Sequence, residues 1–197
     1  MKLYATPLSH FARKVRVLMD LYAIPYEMIH VGNVAEINMD KLGDNPLMQV
    51  PVLLDGQTWL IDSDHIAEYI VKKFDPDDRY NVLISEPFDL NARAIMNGIM
   101  DNEVKIVLAQ RTELPTEKYA YFDKARQSIN NALLWLEQNS HQFSPATPGY
   151  REIHLVCLWQ HLEYYNMVPL NYPHLGKLVQ QIAELPQLIE SAPAEPA

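Results

Sequence analysis

Three short stretches of this sequence carry residue types that could do chemistry. Ser9 stands where "KLYAT", a short strand pattern, gives way to helical spacing marked by Phe11, Val15, Leu18 and Tyr22. A hydroxyl there joins the unpaired N–H groups of a helix's first turn, and both favour an anion. A hydrogen bond to a charged acceptor contributes about 1.5–3 kcal/mol, and the helix dipole adds roughly 0.3–1 kcal/mol. The plainer role for Ser9 is an N-cap, worth about 1 kcal/mol to folding.

The second stretch, "NPLMQVPVLLD", sets Pro51 directly before an apolar strand. A proline can begin a strand because it need not donate into the ladder. Either it is an ordinary trans turn residue, or the Val50-Pro51 bond is cis at an intrinsic cost of roughly 0.5–1 kcal/mol. In the cis case Val50 holds its N–H and C=O outward, where an extended peptide-like ligand can pair with them as an added strand does. In the third stretch, Asp62 and Ser63 precede a helical stripe of Ile66, Ala67, Ile70, Val71 and Phe74. Asp-Ser before a helix is an ordinary cap, with Asp64 complementing the dipole. Alternatively, Ser63 and its amide receive a carboxylate at the helix N-terminus.

The elements that must position these residues follow from hydrophobic period. "KLYAT" and "YEMIHV" read as strands around a helix over 9–22 that Pro25 ends. A weaker helix is predicted over 34–42, closed by Gly43. "PVLLD" and "TWLI" form a hairpin about "DGQ", and a helix follows from Ser63. The order is β-α-β-α-β-β-α over residues 1–76. After a linker at 77–86, every segment of 87–197 has helical period. One helix covers 88–110; another is opened by Pro115; "YREIHLVCLWQHLEYY" is apolar nearly all round and so buried; a last helix spans 174–185 before a frayed "SAPAEPA" tail. Thr147 and Pro148 are expected to supply the cap of the buried helix. The fold class is α/β plus all-α: one mixed domain, then a helical bundle.

Bulk properties narrow the function. The 197 residues are 48% hydrophobic and 21% charged, which is ordinary globular composition. Sixteen basic against twenty-five acidic residues give a net charge of -9. That charge disfavours nucleic acid and anionic membranes as partners. There is no apolar run of the length needed to span a bilayer and no secretory h-region, so a cytoplasmic address is expected. Cys157, the lone cysteine, offers neither a disulfide nor metal-ligand spacing; no metal is expected.

Taken together, "TPLSHFARKVRVLM", "NPLMQVPVL" and "DSDHIAEYI" in this order resemble the glutathione S-transferase family. The likeness extends through "PGYREIHLVCLWQHLEYY" and "YPHLGKLVQQIAELPQL". It implies a thioredoxin-like first domain of the βαβαββα kind and a serine-type site. Ser9 would stabilise the glutathione thiolate. Val50, before a cis Pro51, would pair the cysteinyl backbone, and Asp62 with Ser63 would grip the γ-glutamyl end. Gln49 stands where a lysine is frequent, leaving a neutral hydrogen bond to the glycine carboxylate. His10 stands where proline is common and is expected on the surface of the first turn, a possible accessory to proton transfer. Arg13, Lys14 and Arg16 read as a solvated basic face, from which Arg13 could draw an anionic ligand. The resemblance further implies a homodimer, glutathione as co-substrate, and detoxification of a small hydrophobic electrophile entering between the domains. The alternatives are a noncatalytic regulatory or interaction protein of the same fold, and a glutathione-dependent isomerase or reductase.

Overall fold

The computed structural model describes residues 1–35 and 39–193. The chain divides into two compact units, one of residues 1–83 with Pro186–Ala197 and one of Ile84–Leu185.

In the first unit the strands are β1 (Lys2–Ala5), β2 (Glu27–His30), β3 (Val52–Asp55) and β4 (Thr58–Ile61). They form a sheet in the order β2-β1-β3-β4. β1 and β2 are parallel, joined through α1 (His10–Leu21), because a parallel pair needs a crossover. β3 runs antiparallel to both β1 and β4. This is a thioredoxin-like mixed sheet. Leu3 of β1 is the register partner of Leu53 of β3, and both are fully buried. α1 packs against α2 (Ser63–Phe74), and their stripes of Val15, Leu18, Ile66 and Ile70 are equally dry. Burial of each such side chain is worth roughly 1.5–3 kcal/mol.

The helix expected over 34–42 falls partly on residues 36–38, outside the described residues. What is described is a short 3-10 turn, Asp40–Leu42, closed by Gly43 at φ 64°. A Cβ on Gly43 would stand 3.1 Å from the Tyr4 ring. Glycine is therefore required there by the sign of φ and by the ring above it.

Of the tail expected to fray, residues 194–197 lie outside the described residues. Beyond the expected last helix, a further one, α7 (Pro186–Glu190), packs on α1 in the first unit. The cause is Arg13, whose Nε donates to Ser191 Oγ at 3.1 Å and whose Nη2 donates to the Leu188 carbonyl at 2.9 Å. The stretch after α2 is tied down by aspartates. Asp75 accepts from Tyr22 Oη and the Arg79 amide, and Asp78 from the amides of Val82 and Leu83.

The second unit is helical: α3 (Pro87–Arg111), α4 (Ala120–Gln138), α5 (Tyr150–Tyr165) and α6 (Pro173–Ile182). Pro115 does not open α4; it opens a 3-10 turn at Thr116–Lys118, and α4 begins after it. α6 ends at Ile182, three residues short of the expected 185, and α7 follows separately. α5 is the buried centre, with Ile153, Leu155, Val156, Cys157, Leu158 and Leu162 wholly inaccessible. Its N-cap is Gly149, not Thr147, and the Glu152 carboxylate supplies the missing cap by accepting from the amides of Gly149 and Ser144, each at 3.0 Å. α6 borrows its cap in a similar way: the Glu137 carboxylate of α4 accepts from the amides of His174 and Leu175.

Candidate functional site

The sheet register brings the three stretches singled out from the sequence to one end of the first unit. Tyr4 pairs with Val52, and Val52 pairs with Ile61. Because β3 runs against both neighbours, the end of β1, the start of β3 and the end of β4 lie side by side. Ser9 follows the first, Val50 and Pro51 precede the second, and Asp62 with Ser63 follow the third. Strands lie about 4.8 Å apart, so the row from β1 to β4 is roughly 10 Å wide. Three extended residues span about the same length. Both α1 and α2 also start at this end, so two helix N-termini add positive potential there.

Ser9 is the N-cap of α1. The chain turns through Thr6, whose carbonyl accepts from the Ser9 amide at 3.2 Å. Ser9 Oγ accepts from the Ala12 amide at 3.2 Å, and its carbonyl accepts from the Arg13 amide at 2.8 Å. A hydroxyl has one proton and two lone pairs. Capping occupies a lone pair and leaves the O–H as a donor, so the two roles weighed for Ser9 are compatible.

The Val50-Pro51 peptide is cis. Pro51 is buried, Val50 half-buried and Gln49 exposed. The loop leading here is organised by Asn45, which sequence reasoning passed over. Asn45 is 2% exposed; its Nδ2 donates to the Gln49 carbonyl at 2.8 Å and its Oδ1 accepts from the Leu47 amide at 2.9 Å. The signal was the Asn-Pro pair, a turn initiator.

Asp62 is the N-cap of α2, with φ 69° and ψ 126°. A non-glycine residue held there is strained by about 1–3 kcal/mol, an outlier of the kind that gathers at functional sites. Its Oδ1 accepts from the amides of Asp64 at 2.9 Å and His65 at 3.1 Å. Both cap bonds use the same oxygen. Ser63, the first helical residue, is buried.

Of the basic face expected on α1, Arg13 and Lys14 are not solvated, while Arg16 is half-buried. Arg13 is 1% exposed and Lys14 is fully buried. Arg13 is engaged with the C-terminal segment, and Lys14 Nζ lies 2.8 Å from Asp64 Oδ1. His10, expected at the surface, is buried too, its ring 4.8 Å from that of Phe11. In the second unit the His161 ring faces the Glu103 carboxylate, Nδ1 to Oε2 at 2.8 Å, and burial pushes the Glu103 carboxyl up against the downward pull of His161.

Residues 3–78 match the family model for the glutathione S-transferase N-terminal domain. No curated protein sequence is similar enough to the chain to count as a match. Among solved structures, a glutathione S-transferase from Methylobacterium radiotolerans in complex with glutathione sulfonate is 19% identical, with a TM-score of 0.82 over 100% of this chain and 96% of that one. One from Methylobacillus flagellatus with glutathione bound is 23% identical, with a TM-score of 0.79 over 98% and 99%. A maleylacetoacetate isomerase from a Methylobacterium, with bound malonate and glutathione, is 21% identical, with a TM-score of 0.72 over the whole of both chains. Sequence model and structural likeness agree: the chain resembles the glutathione S-transferases, with their N-terminal domain in residues 3–78 and their fold along its length.

Proposed function

We propose that this protein is a glutathione transferase that joins the glutathione thiolate to a small hydrophobic electrophile. The observation that supports the reading is the row Tyr4, Val52, Ile61, about as wide as one extended tripeptide, whose strand ends adjoin Ser9, Val50 and Asp62–Ser63 in the chain. Ser9 donates its hydroxyl proton's hydrogen bond to the thiolate while its oxygen caps α1. The Val50 backbone pairs the cysteinyl unit as an added strand, and Gln49 lies toward the glycine end. Ser63 and its amide receive the γ-glutamyl carboxylate, and Asp62 attracts the ammonium group. Glutathione is the co-substrate, and the protein acts as a homodimer in the cytoplasm.

The chemistry is nucleophilic substitution. The thiolate sulfur attacks the electrophilic carbon, a carbon–sulfur bond forms, and the leaving group departs with its electron pair, as chloride does from a chloronitrobenzene. The thiol proton passes to solvent before attack. A second reading, glutathione-dependent isomerisation, draws on the likeness to a protein described as a maleylacetoacetate isomerase; there the same thiolate adds to a double bond and leaves again. Calorimetric titration with glutathione, followed by a conjugation assay with a chloronitrobenzene, tests the reading. Saturable binding and chloride release support it. No heat of binding identifies a noncatalytic protein of the same fold; binding with no conjugation, but turnover of a cis-enedioate, identifies the isomerase.

A further inference from the structure

α1 and α2 start at the same end of the sheet, and a buried ion pair joins the second turn of α1 to the first turn of α2. Lys14 lies in the second turn of α1, five residues beyond Ser9. Asp64 directly follows Ser63 in the first turn of α2. Lys14 Nζ stands 2.8 Å from Asp64 Oδ1, with side-chain exposures of 0% and 10%, and 5.9 Å from the Phe11 ring centroid. The Asp64 amide meanwhile donates to the Asp62 cap. The pair therefore links the helix that Ser9 caps to the one that Asp62 caps.

A buried ion pair is a poor stabiliser, because desolvation of both charges offsets most of their attraction; what it does well is define a geometry. Two apolar side chains would hold the helices together at least as firmly, but they would tolerate sliding. A ligand gripped at two points needs the opposite. If one grip is misplaced by about 1 Å, the second contact is lost and a reacting group falls out of line. Charge adds a second reason. An Asp64 carboxylate next to Ser63 would repel a carboxylate arriving at the N-terminus of α2, and Lys14 cancels that repulsion.

We propose that Lys14 and Asp64 are positioning residues: their ion pair holds the first turns of α1 and α2 at the separation where Ser9 and Ser63 engage the thiol and the γ-glutamyl carboxylate of one glutathione molecule. This rests on the glutathione reading above. The test compares the full chain with Asp64→Glu, which keeps both charges but lengthens the arm by one methylene, and with the paired apolar replacement Lys14→Met, Asp64→Leu. Three quantities are read: the urea midpoint, the Kd for S-methylglutathione, and the pH at which bound glutathione ionises, followed by thiolate absorbance.

Asp64→Glu is expected to stay folded, to bind S-methylglutathione about tenfold more weakly, and to ionise bound thiol about one pH unit higher. The apolar pair is expected to keep or raise the urea midpoint while showing the same two losses. If Asp64→Glu folds and matches the wild type in affinity and thiol ionisation, the inference is overturned while the glutathione reading survives. If the wild-type chain binds neither ligand, both fall.

Discussion

Under the proposed glutathione reading, replacing Ser9 separates two contributions that meet in a single oxygen. In Ser9→Ala the Ala12 amide loses its acceptor at 3.2 Å, which costs about 1 kcal/mol of stability, as for other N-caps. The thiolate loses its donor as well. A hydrogen bond to a charged group is worth about 1.5–3 kcal/mol, and at about 1.36 kcal/mol per unit the bound thiol rises by roughly one to two pKa units. Below that pKa the thiolate fraction, and with it kcat/KM, falls about tenfold to a hundredfold. Ser9→Asp dissects the two effects, since aspartate caps as well as serine but sets a carboxylate beside the thiolate. It should hold the wild-type urea midpoint and still be slow, with its pH profile shifted to higher pH. The assay is chloronitrobenzene conjugation from about pH 6 to 9 alongside urea denaturation of each variant. An aspartate variant that conjugates at the wild-type rate, or an alanine variant whose pH profile stays in place, would refute the donor role and leave Ser9 a cap alone.

Gly43→Ala should destabilise more than Gly56→Ala. Both residues have positive φ, at 64° and 61°, costing roughly 1–2 kcal/mol, but only at Gly43 does the new Cβ meet a neighbour, the Tyr4 ring at 3.1 Å. Equal urea midpoints for the two would remove the ring from the account. Arg13→Met and a chain ending at Leu185 should each lower the midpoint by the equivalent of about 2 kcal/mol. Combined they should lose no more than one of them, because each removes the same bonds to Ser191 and Leu188; additive losses would refute the link. Glu103→Gln addresses pH. Burial holds the folded carboxyl above its ordinary value, so the native state binds its proton more tightly than the unfolded chain does. Its favourable contribution is complete below the unfolded pKa and is lost as pH rises through the folded one. The wild type minus Gln difference in unfolding free energy should therefore fall as pH rises above the ordinary carboxylate range; a flat difference would contradict it.

Periodicity made the strands and helices legible because the alternation in "KLYA" and the stripe Ile66, Ala67, Ile70, Val71 are direct consequences of which faces are dry. The three site stretches were legible for a related reason: a cap, a proline before a strand and an acidic-hydroxyl pair are local signals. What stayed hidden was long-range. Arg13 and Lys14 read as solvent-facing because they are charged, and their partners lie 178, 175 and 50 residues away. No local window contains Ser191, Leu188 or Asp64 together with α1. Gly149 as the cap of α5 was missed for the same reason in miniature. A glycine cannot cap through a side chain, and Glu152 does the work from inside the helix.

These buried cations bear on how an acidic protein could admit an anionic ligand. The chain carries a net charge of -9, and glutathione brings two carboxylates and one ammonium group. Charges farther away than about 8 Å are largely screened at physiological ionic strength, so the local field, not the total, governs the site. Locally the acids are offset. The N-termini of α1 and α2 each present positive potential, Lys14 neutralises the acid nearest Ser63, and Asp62 turns one oxygen into the helix it caps. An acidic exterior with a sheet end whose own acids are offset is therefore coherent. It discourages polyanions, which sample the whole surface, while leaving a short anion free to settle where two helices begin.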